Sequence, residues 1–222
     1  MEIQHINTKK IAQYCINNVF RTNTDEPGFI HFDFGKNITP YQLRSIMVDL
    51  KKELSKLTSV HFDKKLSYHW LVRFDQQVNT PFHVDNAENQ SFLMLGYEPS
   101  EIESELHIAD YYSYAKESQA APKDYLKNFT PIFKDDESLL APYTTKVKSF
   151  NKDSYKIVLI NNSNPKSSPE TLGVFHKALI VKSDLEKSRI VNSMVLNMLP
   201  KGKIDHDQLN EEKFLNTDVI SK

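Results

Sequence analysis

Thr80-Pro81-Phe82-His83-Val84-Asp85-Asn86, followed by Ser91-Phe92-Leu93-Met94-Leu95-Gly96-Tyr97, is the stretch on which the reading of this chain turns. Its first half is a proline turn carrying a histidine and an aspartate two residues apart, and its second is a short apolar β-like run. Similar runs lie on both sides: Ser67 to Phe74 upstream, then Gln90 to Tyr97, Leu106 to Tyr112, Thr144 to Phe150, Tyr155 to Asn161, Gly173 to Val181 and Arg189 to Leu196. Many short strands separated by Pro, Asn, Ser and Asp turns indicate a sandwich or barrel. A helical insert is expected around Ala121 to Phe129, and Asn161 to Pro169 has the composition of a mobile turn.

Ahead of this β-region the period changes. Thr8 can cap a helix running to about Phe20, with Ile11, Ala12, Cys15, Ile16 and Val19 on one face. Thr39-Pro40 is a strong helix start, and the segment to about Leu57 places Leu43, Ile46, Met47, Leu50 and Leu54 together. Phe29 to Phe34 between them reads as a strand. The chain is therefore expected to be mainly β with flanking helices (α+β), the helices packing on one outer face of a sheet. It divides as one domain: 1–66 N-terminal helices and first strand, 67–199 β core, 200–222 a loosely attached polar tail with one short helix near Asp207 to Leu215.

The 222 residues suit one domain with trimmings, and 39% apolar residues can bury a sizeable core. A net charge of -1, from 28 basic and 29 acidic residues, gives no basic surplus to attract nucleic acid. The N-terminus lacks the apolar region of a signal peptide, and no segment approaches a membrane span. The lone cysteine, Cys15, cannot form an internal disulfide and reads as a buried helix residue. Together these predict a cytoplasmic protein without membrane or nucleic-acid partners.

The residues that carry chemistry are histidines and one aspartate. Two imidazoles and a carboxylate on one face of a metal leave positions open on the other, the arrangement that suits non-haem Fe(II). His83 and Asp85, at i and i+2, point the same way if the segment is extended. His176, in Gly173-Val174-Phe175-His176 at the head of a later run, supplies a third ligand. His31-Phe32-Asp33 and His61-Phe62-Asp63 repeat the pattern, but neither has a β-run just before it and the whole β-region after it. A dicarboxylate co-substrate such as 2-oxoglutarate also needs a cation, and the forked guanidinium pairs best with a carboxylate. Arg189 begins the run after His176, and Ser193 shares its face on a regular strand. Asn192 is the other candidate for a second contact.

Taken in order, Leu71 to Asp75, Thr80 to Asn86, Ser91 to Pro99, Gly173 to Ala178 and Arg189 to Met194 resemble the core of the 2-oxoglutarate/Fe(II)-dependent dioxygenases over roughly residues 67 to 196. The resemblance implies a double-stranded β-helix (a cupin-like jelly roll). It also implies iron on His83, Asp85 and His176, 2-oxoglutarate held by Arg189, O₂ as co-substrate, and release of succinate and CO₂. Many members carry a serine or threonine two residues beyond the arginine; here that position is Val191, which leaves Ser193 as the second contact. Because Asp85 is a carboxylate, the resemblance implies hydroxylation or a related oxidation rather than halogenation.

The substrate expected is a small molecule. Tyr97, Tyr111, Tyr112 and Tyr114 are candidates for an aromatic wall or for core filling, and Asn86 and Arg73 lie near the metal motif. Two other readings stand beside this one: a cupin-like metalloenzyme that does not use 2-oxoglutarate, and a non-enzymatic jelly-roll binding protein. Nothing supports a hydrolase, since there is no nucleophile motif, and five glycines leave little material for phosphate loops.

Overall fold

The computed structural model describes residues 6–118, 131–147, 152–165, 170–203 and 207–221. The insert expected at Ala121 to Phe129 lies outside them. Helix α2, Pro40–His61, starts where the sequence says it should. Thr39 Oγ1 accepts from the Gln42 N–H at 3.2 Å and Gln42 Oε1 accepts from the Thr39 N–H at 2.8 Å, so two otherwise unpaired donors satisfy each other's residues. Helix α1 is Thr8–Asn18, but its cap is Asn7 rather than Thr8: the Asn7 side chain accepts from the Lys10 N–H at 3.0 Å.

The strands are β1 Phe29–Asp33, β2 Lys64–Asp75, β3 Ser91–Tyr97, β4 Ser104–Ala109, β5 Thr144–Lys146, β6 Lys156–Asn161, β7 Phe175–Ile180 and β8 Ile190–Pro200. They form two sheets with antiparallel pairing between neighbours, giving an α+β protein. The larger sheet has the order β1-β6-β3-β8-β2 and the smaller β5-β4-β7. Segment 79–84 lengthens the smaller sheet alongside β7. Thr80 N–H donates to Ala178 O at 3.0 Å, and His83 and His176 exchange backbone bonds at 3.0 and 2.9 Å.

Residue alternation sorts the larger sheet into two buried faces. Phe92, Met94, Ile157, Leu159, Met194, Leu196 and Met198 pack under α1 and α2, against Cys15, Leu43, Met47, Leu50 and Leu54. Leu93, Leu95, Tyr97, Val158, Ile160, Val191 and Val195 face the smaller sheet and its Leu106 and Ile108. Both faces are covered, so β3 and β6 are buried along their whole length. Gly96 lies under α2, where a β-carbon would collide with Met47 Sδ, so glycine lets the helix sit close. No described helix is long and apolar enough to cross a membrane.

Three expectations are corrected. The run Leu106 to Tyr112 is not one strand. β4 stops at Ala109 because Asp110 caps helix α3, Tyr111–Glu117, accepting from the Tyr112 and Ser113 N–H groups. The tail is not loose. Helix α4, Asp207–Asn216, buries Phe214 in the helix-side core, Arg44 donates to Leu215 O at 3.0 Å, and Ser221 pairs with Phe74 at the edge of β2. The Asn/Ser run after Asn161 is not a surface turn where it is described. Asn161, Asn162 and Ser163 have no exposed surface, and the rest of that run to 165 is described while 166–169 are not.

Candidate metal centre

Pro81 turns the chain, and the segment that follows is held between two neighbours. Val84 N–H donates to Pro131 O at 2.9 Å, and Phe133 N–H to Phe82 O at 2.8 Å. Phe82 and Val84 are buried, so the alternating His83 and Asp85 point to the opposite side. The paired backbones of His83 and His176 bring their rings to a centroid distance of 4.1 Å. His83 Nε2 lies 3.6 Å from Asp85 Oδ1, and His176 Nε2 lies 3.9 Å from Asp85 Oδ2. One ligand atom from each of the three falls within 4.8 Å of the others, the one such group of His, Cys, Asp or Glu side chains among the described residues. Metal–ligand bonds of about 2.0–2.2 Å at right angles set donors about 3 Å apart. Closing the set around an ion therefore asks for roughly 1 Å of side-chain rotation.

The surroundings prepare the donors. His83 Nδ1 is 2.8 Å from Pro81 O, which makes Nδ1 the protonated nitrogen and leaves Nε2 as the lone-pair donor. Burial works against a charge on His83, but Asp85 and the Pro81 carbonyl outweigh it and hold its pKa above the ordinary value. Burial likewise opposes charge on Asp85, and the two imidazoles overcome this to keep the carboxyl below its ordinary range. His176 is pushed down to about 3 by burial and then by His83, so its imidazole is neutral and ready to coordinate.

Asn162 fixes Asp85 from behind, and sequence reasoning missed it. Asp85 N–H donates to Asn162 Oδ1 at 2.7 Å, while Asn162 Nδ2 donates to Asp85 O at 3.0 Å and to Ser91 Oγ at 2.9 Å. Next to it, Ser163 Oγ meets Thr171 Oγ1 at 3.0 Å, and Gln90 Oε1 accepts from Thr171 N–H at 2.8 Å. Gly173 belongs to this packing, since a β-carbon there would strike Ser163 O and Tyr111 Oη. A second buried support is the ion pair of Arg21 with Asp110, 2.7 and 2.8 Å, from which Arg21 also reaches Gly173 O at 3.2 Å.

Arg189 enters the space between the sheets at the end away from the histidines. It is 2% exposed. Nε donates to Ser104 Oγ at 2.8 Å and Nη1 to Gln76 Oε1 at 2.6 Å; its guanidinium carbon is 5.0 Å from the Tyr97 ring centroid. Nη2 is buried and has no hydrogen-bond partner, and no described carboxylate forms an ion pair with this guanidinium. Tyr97 links the two ends. Burial raises its hydroxyl pKa, Arg189 opposes that, and the Asp85 charge adds to it.

Ser193 lies on the same inward face as Arg189, but its hydroxyl accepts from Trp70 Nε1 at 3.4 Å. Asn192 faces the helices, donating to Glu98 Oε1 at 3.0 Å, and so is removed from the anchor. Arg73 is removed as well: it faces the helices and grips Glu98 through Nε and Nη2 at 3.0 and 3.1 Å. Tyr111 and Tyr112 are core residues with Phe82 and Phe175. Of the two repeated motifs, His31 and Asp33 sit on the edge strand β1, and Asp63 pairs with Lys201 at 2.6 Å. No protein-family model matches the chain, and no curated protein matches it.

Proposed function

We propose that the protein is a non-haem Fe(II)- and 2-oxoglutarate-dependent dioxygenase that oxidises a small organic substrate. The observation that carries this reading is the meeting of His83, Asp85 and His176 in one cluster at the edge of the inter-sheet space. The double-stranded β-helix is part of the proposal. It is supported by the winding: β2, segment 79–84, β3, β4 and β5, β6, β7 and β8 alternate between the larger and smaller sheets, as in a jelly roll.

The donor set fits the metal. Two imidazole nitrogens and one carboxylate oxygen suit Fe(II), which His83, Asp85 and His176 would hold. Arg189, with one buried N–H pair unmatched, fits the distal carboxylate of 2-oxoglutarate. Bound there, iron and 2-oxoglutarate supply the oxidising chemistry, with succinate and CO₂ as co-products. The chain's own part is to orient and exclude water. Pro81 O fixes the His83 tautomer, Asn162 fixes the Asp85 backbone, and Leu93, Leu95, Val191 and Val195 line a dry wall. A cupin-like enzyme without 2-oxoglutarate is the second reading, favoured by the engagement of Arg189 Nε and Nη1 with Ser104 and Gln76.

An anaerobic titration separates these. Metal-free protein is loaded with Fe(II) and then with 2-oxoglutarate, and the weak visible charge-transfer band of the chelate is followed. The proposal expects the band in the wild type and its loss in His176→Ala. Fe(II) binding without a band favours the cupin-like reading, and absence of Fe(II) binding sinks both.

A further inference from the structure

Strand β2 changes face halfway along. Leu66 and Tyr68 stand opposite Met198 and Leu196, which belong to the helix-side core. The register then slips by one residue at His69, and Trp70, Val72 and Phe74 stand opposite Val195, Ser193 and Val191, which face the smaller sheet. A regular strand would have carried Trp70 on under the helices with Tyr68. The bulge turns it into the inter-sheet space instead, and bulges recur beside functional sites for this purpose.

That position, on the edge strand β2 with β8 between it and β3, lies near the level of the candidate metal centre along the sheet. Glu88 N–H donates to Asn197 Oδ1 at 3.2 Å, and Ser91, which Asn162 ties to Asp85, is the strand partner of Asn197. Asn197 thus marks the level of Asp85 on the larger sheet. Trp70 and Val195 form the next inward-facing rung from it toward Arg189. Trp70 is 39% exposed, and Val72 and Phe74 are half-buried, so this strip is less closed than the core; Trp70 and Val72 also border a groove shared with Asn210, Lys213, Thr217 and Val219. The indole is held through Nε1, which donates to Ser193 Oγ at 3.4 Å, and its ring lies 5.6 Å from that of His69 at a tilt of 37°. From Trp70 to Phe74 and from Val195 to Val191 the wall carries one hydroxyl and no charge.

We propose that Trp70 is the specificity-determining wall of the substrate cleft and that the substrate presents an apolar ring to it. This rests on the reading of His83, Asp85 and His176 as the metal centre. A fixed aromatic face binds rings by offset or edge-on stacking, which adds to the apolar area it covers. A charged group placed on this strip would lose water without gaining a partner.

Trp70 is the one tryptophan in the sequence, so its fluorescence can be read alone. Metal-free full-length protein is titrated with Co(II), following both the cobalt absorption and the tryptophan emission. The emission is expected to fall at least twofold in step with binding, and both signals to vanish in His176→Ala. 2-Naphthol, as a simple ring probe, is then bound to the Co(II)-loaded protein and measured by equilibrium dialysis. Its affinity should fall about tenfold or more in Trp70→Ala and less than threefold in Trp70→Phe, with Co(II) affinity unchanged in both. Cobalt binding that leaves the emission unquenched overturns the placement of Trp70 while sparing the metal centre. 2-Naphthol that fails to bind the wild type, or binds Trp70→Ala equally well, overturns the ring-binding role. Absence of Co(II) binding by the wild type removes the metal centre, and the substrate wall with it.

Discussion

Replacing Asn162 with alanine should weaken the metal centre without touching a ligand. The side chain makes three buried hydrogen bonds, at 2.7, 3.0 and 2.9 Å, two of them to the backbone of Asp85 and the third to Ser91. Each is worth about 0.5–1.5 kcal/mol net, and the buried partners they leave behind add a desolvation cost. Asp85 retains some contact with solvent, its side chain being 21% exposed, so water recovers part of the loss on that side. The balance is a destabilisation of about 2–3 kcal/mol, read as a lower midpoint in urea at unchanged slope. Metal affinity should fall about 10- to 100-fold, as it does when a partner that orients a ligand is removed. Competition with a coloured chelator measures it below the unfolding transition. Asn162→Asp keeps an acceptor for the Asp85 N–H but sets a carboxylate against the Asp85 carbonyl, so it should bind metal no better. If Asn162→Ala binds metal as tightly as the wild type while losing stability as expected, Asn162 supports the fold alone and the argument that it positions Asp85 is wrong.

Metal affinity should depend on pH with a definite sign. His83 holds its proton above the ordinary histidine value, and an ion must displace that proton, so affinity should rise about tenfold per pH unit up to that pKa and flatten beyond it. Chelator competition at several pH values between 6 and 9 tests this; a flat profile would refute it. Arg21 and Arg189 are both 2% exposed, yet they should respond differently to methionine. Arg21→Met strands Asp110 without its partner and should cost about 3–5 kcal/mol in urea unfolding. The Asp110 carboxyl is opposed by burial but held below its ordinary pKa by Arg21 and then Ser113. The stability it contributes is present above the unfolded value near 4 and disappears as pH falls through the lower folded one. Arg189→Met removes a buried charge that pairs with no described carboxylate and should cost less than about 1.5 kcal/mol while abolishing binding of the co-substrate. A large loss of stability in Arg189→Met would mean that Ser104 and Gln76 are its purpose.

Much of this arrangement could be read in the residues, and what could not has a physical reason. Helix α2 was legible because its start, Thr39-Pro40, and its apolar face are local features. His83 and Asp85 were legible together because extended segments keep i and i+2 on one side, a rule that needs no knowledge of the partner strand; His176 was legible only from its place at the head of a later β-run. Asn161, Asn162 and Ser163 were not. Their composition is that of a turn, and their burial depends on Val19, Asp85, Ser91 and Thr171, which only the folded chain brings near. Arg21 and Asp110 are 89 residues apart and carry no local sign of pairing. The slip at His69 was equally hidden, since a bulge is a property of two strands together. The tail was misjudged because Phe214 anchors a helix that is otherwise mostly polar, and the backbone acceptor for Arg44 has no signature in the side chains.

The buried polar groups left without partners point in the same direction. Arg44 Nη1 is one, but Glu98 lies 3.9 Å away and offsets its charge. Asn192 Oδ1 is another, neutral and beside the same cluster. Two more are His176 Nδ1 and Arg189 Nη2, one at each end of the space between the sheets. A fold that satisfies Arg21 with a carboxylate and three backbone carbonyls has the means to satisfy an arginine. Leaving Arg189 Nη2 without an acceptor among the described residues therefore carries a cost. An anion reaching it from the histidine end of the inter-sheet space would offset that cost. A molecule reaching Arg189 by that route and holding it with one carboxylate would present its other end to His83, Asp85 and His176. A metal chelator with a carboxylate tail has that shape, which is why the unpartnered guanidinium and the histidine cluster argue for one function together more strongly than either does alone.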